Sequence, residues 1–207
     1  MSTDKTRSKE RTISISRIEN IHPYKTILFF GILVSTLILL TLTFLFLTTL
    51  SENNTKPPLL PKVFTLSTIM LLFSSYSISK TIAAFKKDSF DLLLQSTITT
   101  AVISTLFILT QVVGLHAIYK TGYFQSMPFN SLYFTSLTAF HLTHVILITT
   151  YLIYLTYKAY HRSQDMVDSL LFFSDSNIFQ KLNSATILCH YNNFSWLALF
   201  LLFLFSF

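Results

Sequence analysis

Residues 25–50 read KTILFFGILVSTLILLTLTFLFLTTL, twenty-six positions with no acidic residue and a single basic one at the very start. About 20 helical residues at about 1.5 Å rise cross the ~30 Å hydrocarbon layer of a bilayer, so this stretch is long enough to span it. A lone strand would leave its backbone polar groups unpaired in lipid, and barrel strands alternate apolar with polar residues; this run does neither, which leaves a helix. Basic residues precede it as they would precede a signal peptide, but it is too long for one and no small-residue cleavage site follows. Four more apolar runs lie downstream, at 62–84, 93–118, 131–157 and 182–207. The expectation is an all-α integral membrane protein, a single five-helix transmembrane domain over 25–207 preceded by a basic arm, 1–24.

The rest of the composition agrees. Of 207 residues, 51% are hydrophobic and only 12% charged, with 21 Phe against three Gly and five Pro. Such a chain has no Gly-rich phosphate loop and no low-complexity linker. One cysteine, Cys189, rules out an internal disulfide or a multi-cysteine metal site. The excess of 15 basic over 9 acidic residues would suggest nucleic acid in a soluble protein, but here it reports topology. Twelve of the fifteen lie in the arm and in the loops after the second and fourth spans, among them Lys80, Lys86, Lys87, Lys158, Arg162 and Lys181. By the positive-inside rule those segments face the cytoplasm, or the matrix of a mitochondrion, and the C-terminus faces the other side.

The carboxylates all fall in the arm, the loops or near span ends. A proton or sodium transporter relies on an ionisable group at membrane depth, and a channel filter on a polar ring or a broken helix, so independent ion transport is disfavoured. The polar residues inside the spans are hydroxyls, amides and histidines. Ser67, Ser74 and Ser77 occupy about a quarter of one helix circumference, a small-residue stripe suited to close helix packing. Gln111 and Asn193 need partners across a helix interface. His141 and His144, three apart near the middle of the fourth span, share a face; His190 falls in the inner third of the fifth, and His116 near the outer end of the third. The pair suits hydrogen bonds to neighbouring helices or to lipid in a cleft. Two imidazoles on one face cannot ligate one haem from both sides, so a b-haem membrane anchor would have to pair one of them with His190.

Four motifs in order carry a family resemblance. Phe140-His141-Leu142-Thr143-His144-Val145 resembles the F-H-x-x-H-V signature of subunit III of haem–copper oxidases, the cytochrome c oxidase type. Leu60-Pro61, Phe64, Ser67-Thr68 are similar to that family's L-P-x-x-F-x-x-S-T, and Phe107 with Gln111 to its F-x-x-x-Q. His190-Tyr191 followed by Trp196 resembles the last helix's W-H-F-x-D-x-x-W, with Cys189 and Asn193 standing where the family has Trp and Asp. The resemblance covers 60–207, with the first span matched only by hydropathy, and five-helix members share the topology read from the charges. It implies a non-catalytic subunit of a membrane terminal oxidase that stabilises the catalytic subunit and supports proton uptake while the complex reduces dioxygen. Haem and copper belong to the partner catalytic subunit, with no cofactor, metal or catalytic residue in this chain. His141, His144, His190, Trp196 and Gln111 become lipid-binding or structural polar groups, with phospholipid bound in an interhelical cleft. The implied partners are the catalytic and other oxidase subunits, with a larger respiratory supercomplex beyond them and no nucleic acid. The implied location is a bacterial cytoplasmic membrane, with the mitochondrial inner membrane second. Asn193, and the lack of a carboxylate in the first span, weigh against a direct proton-handling role.

Overall fold

A computed structural model describes residues 23–52, 60–126 and 128–206; the basic arm expected over 1–24 lies outside these, except for Pro23 and Tyr24. Among the described residues there is no strand, and the chain forms seven helices: α1 Pro23–Glu52, α2 Lys62–Lys86, α3 Phe90–Lys120, α4 Tyr123–Ser126, α5 Pro128–Arg162, α6 Met166–Ser174 and α7 Ser176–Ser206. Five of them, α1, α2, α3, α5 and α7, are long and apolar enough to cross a membrane. The protein is an all-helical, multi-pass membrane protein. Its helices run two to six residues past most of the expected ends, and at the starts of α3 and α7 local chemistry rather than hydropathy sets the boundary.

Those terminal devices are specific. α3 begins at Phe90, not 93, behind an extended Ser89 and with Asp91 in its first turn, where a negative charge favours the helix dipole. Asp165 Oδ1 accepts from the Val167 amide at 2.9 Å to start α6, and Asp175 Oδ1 accepts from Asn177 N at 2.8 Å to start α7 six residues earlier than hydropathy places it. Between α2 and α3 the chain reverses in three residues. Asp88 takes a left-handed φ of 52°, and the Asp88 and Ser89 amides cap the Phe85 and Ala84 carbonyls at 3.1 and 3.2 Å. Neither α4 nor α6 is expected from periodicity; both are too short to show it.

By its contacts the chain divides into Met1–Leu37 and Ile38–Phe207, with the boundary inside α1. In the first unit the described residues are the opening turns of α1, an apolar helix. In the second, α2, α3, α5 and α7 close a ring: α2 packs on α3 and α7, and α5 packs on α3 and α7. Three hydrophobic clusters fill its centre. One at the α2 amino-terminal end gathers Phe46, Phe64, Phe107, Phe134, Trp196 and Phe203; Ile78, Ala101, Ile148, Leu152 and Cys189 fill the middle; Phe85, Leu93, Ala159, Phe172 and Leu182 fill the other end. α4 adds Tyr123 to the first, where burial pushes its phenol up to about 12 and keeps it protonated. The connections bring the α2 and α5 carboxyl ends beside the α3 and α7 amino ends, so Lys86, Lys87, Lys158, Arg162 and Lys181 gather at one end of the ring.

Candidate functional site

Trp196 is the centre of the buried polar residues that the ring collects. It is fully buried, stacks on Phe64 with centroids 6.0 Å apart, and meets the edge of Phe107 at 5.2 Å. Its indole N–H donates to Thr68 Oγ1 at 3.0 Å, and the Thr68 hydroxyl in turn donates to the Phe64 carbonyl at 2.8 Å. An indole in an apolar surround needs such an acceptor, and Thr68 is the nearest hydroxyl on the facing helix. On the other side His141 lies against the Trp196 ring at 5.1 Å and edge-on to Phe107 at 5.9 Å. Its ring is 2% exposed, and its Nε2 has no hydrogen-bond partner. A buried polar atom without a partner is costly, so His141 is held there by aromatic packing rather than by its nitrogens.

Above and below, further bonds cross from α2 to its neighbours. Gln111 Nε2 donates to Ser67 Oγ at 3.0 Å, and the Ser67 hydroxyl donates to the Phe64 carbonyl at 2.8 Å. Asn193 Nδ2 donates to the Leu71 carbonyl at 3.3 Å. His190 Nδ1 lies 2.8 Å from Ser75 Oγ, and Ser77 donates to the Ser96 carbonyl at 3.0 Å. Thr81 and Ser96 hydroxyls are 3.0 Å apart. Residues 67 to 81 of α2 thus carry a ladder whose rungs end on α3 or α7. Gly114 allows this closeness, since a Cβ there would sit 2.8 Å from Phe64 Cε2 and 2.9 Å from Cζ.

The stripe of Ser67, Ser74 and Ser77 is buried throughout, at 0%, 1% and 9% exposure, and two of its three members also bond across the interface. Gln111, Asn193, His190 and Trp196 all find partners on α2. The two histidines, one turn apart on α5, meet different surroundings. His141 points into the aromatic cluster, whereas His144 is half-buried, its Nδ1 2.9 Å from the Phe140 carbonyl one turn back and its ring against Phe140 at 4.5 Å. His190, with its helix now starting at Ser176, lies mid-helix rather than in the inner third. His141 meets α7 at Trp196, six residues or about 9 Å along the axis from His190, and His190 turns to α2. The two imidazoles do not face one another. His116 is exposed.

Sequence reasoning passed over Ser96, Ser75 and Gly114 as site residues. Ser75 stood next to the stripe but off its face, and Ser96 was visible only as one of the hydroxyls at 96, 100 and 104 that recur every helical turn of α3. Among the described residues no three His, Cys, Asp or Glu side chains converge. Neither a family model nor a curated protein matches the chain.

Proposed function

We propose that this chain is a subunit III-like, non-catalytic component of a membrane terminal oxidase of the cytochrome c oxidase type. In that role it packs against the catalytic subunit, which carries haem and copper, holds phospholipid, and supports proton uptake during dioxygen reduction. One observation carries the reading. The residues that make the four motifs, remote in sequence, are in mutual contact: Phe64 and Thr68 on Trp196, Ser67 on Gln111, Phe107 and His141 on Trp196. That residues from different motifs pack against one another supports the resemblance. The charge distribution supports an inside N-terminus, with Lys86, Lys87, Lys158, Arg162 and Lys181 on the cytoplasmic side of a bacterial membrane or the matrix side of a mitochondrial one.

With no carboxylate at membrane depth, proton support runs through basic surface residues and the shape offered to the partner rather than through a loaded group in this chain. Affinity purification of the tagged chain in mild detergent tests the reading. A co-purifying larger subunit with haem absorbance and bound copper is expected; recovery of the chain alone, or of a haem spectrum from the isolated chain, overturns it.

A further inference from the structure

A groove of about 410 Å³ runs between α2 and α3 on the outside of the ring, away from the Trp196 cluster. Its α2 wall includes Phe73, Tyr76, Lys80 and Lys87, and its α3 wall Gln95 and Ile103. From residue 73 to residue 87 the helix rises about 21 Å, more than the half-thickness of a ~30 Å hydrocarbon layer. The deep end is apolar and open, with Phe73 63% and Tyr76 65% exposed, and the shallow end is cationic. The exposed Lys80 ammonium lies 4.2 Å from the centre of the Tyr76 ring, four residues earlier along α2. Among the described residues the only ion pair is Arg162–Asp168, so neither Lys80 nor Lys87 has a carboxylate partner, although Asp88 and Asp91 lie in the adjoining turn and first turn of α3.

Two exposed lysines without a counter-ion, on the edge of an apolar groove at the cationic end of the helix ring, form a surface that attracts an anion. We propose that the α2–α3 groove binds an anionic phospholipid, its phosphate between Lys80 and Lys87 with the Gln95 amide as a further donor, and one acyl chain along Phe73 and Ile103. The charge and the apolar depth together select this occupant, since a zwitterionic lipid brings its own cation to the same lysines. Basic pockets between transmembrane helices recognise anionic headgroups in this way. The inference rests on membrane insertion alone and stands whether or not the chain belongs to an oxidase.

Native mass spectrometry of the full chain released from mixed phosphatidylglycerol and phosphatidylcholine micelles, matched in acyl chains, tests it. The wild-type chain is expected to retain phosphatidylglycerol over phosphatidylcholine. Each basic residue is worth roughly fivefold toward an anionic headgroup, so K80Q/K87Q should lower that preference roughly 30-fold. K158Q, at the same end of the ring but outside the groove, should leave it unchanged. A83F, which fills the groove wall at an exposed position, should lose both lipids while circular dichroism stays helical. Equal retention of the two lipids by wild type, an undiminished preference in K80Q/K87Q, an equal loss in K158Q, or full retention by helical A83F overturns the proposal. Displacement of the bound mass by millimolar inorganic phosphate does too, because a free anion would then account for the site.

Discussion

Residues 38–50 of α1 and residues 62–86 of α2 are both apolar helix, and they use their polar residues in opposite ways. In α1 only Phe46 among 38–50 is buried, and Leu40, Phe44 and Leu47 are 60%, 66% and 44% exposed. Thr48 and Thr49 each donate to the Leu45 carbonyl of their own helix at 2.9 and 3.0 Å. In α2 ten residues are buried, and Ser67, Thr68, Ser75, Ser77 and Thr81 all exchange hydrogen bonds with α3 or α7. Lipid tails are as apolar as Leu, so hydropathy sends a helix into the bilayer without sending it to a neighbour; small residues and cross-helix polar bonds do the second job. The most apolar helix is therefore the least buried, and the number of hydroxyls does not make α2 the hub, since α1 and α2 carry eight Ser and Thr each; what distinguishes α2 is the set of cross-helix bonds its hydroxyls make.

That contrast can be broken most forcefully at Trp196. W196A removes the side chain that α2, α3 and α5 all touch, and should cost about 3–5 kcal/mol in reversible unfolding in mixed micelles, as large core deletions do. A loss no greater than that of an α1 surface change would dissolve the distinction between the two regions. G114A comes next: a methyl group must move a Phe64 ring that is fixed by Trp196 and Phe134, at about 1–3 kcal/mol. Should G114A prove neutral by the same measurement, the α2–α3 approach would be looser than its geometry implies. S75A, which unpairs His190 from α2, should cost about 0.6–2 kcal/mol, the range for polar contacts between helices in membranes; a double-mutant cycle with H190Q should return most of that as coupling. T48V in α1 keeps its volume and loses a hydroxyl bonded to its own turn, and should stay within about 0.5 kcal/mol of wild type.

The five spans were legible because length and hydropathy suffice to fill a bilayer, and the polar ladder was half legible because Gln111, Asn193 and Trp196 cannot be buried without partners. Which partners they take was not. His141 and His144 are about 60° apart around the helix axis, a separation that allows one face or two. The Phe140 carbonyl and the gap between Phe107 and Trp196 decide it, and neither is visible without the neighbouring helices. Helix ends were misread by a few residues where Asp175 or Ser89 set the boundary inside a polar stretch. The short helices α4 and α6 hold too few turns for any pattern to emerge.

The ring closes through the contact of α2 with α7, the pair that supplies Thr68 and Trp196 from positions 128 residues apart. During synthesis α2 and α3 enter the bilayer as a hairpin while α7 has yet to be translated. Until it arrives, Phe64 and Phe107 lack their contacts with Trp196, and the Thr68 hydroxyl has only its own backbone to serve. The last span therefore works as a latch, and a ribosome stalled before residue 196 would release an inserted but unlocked protein. Quality-control proteases that sense loosely associated helices would meet that species in the membrane plane, so escape from them should turn on the arrival of a single indole.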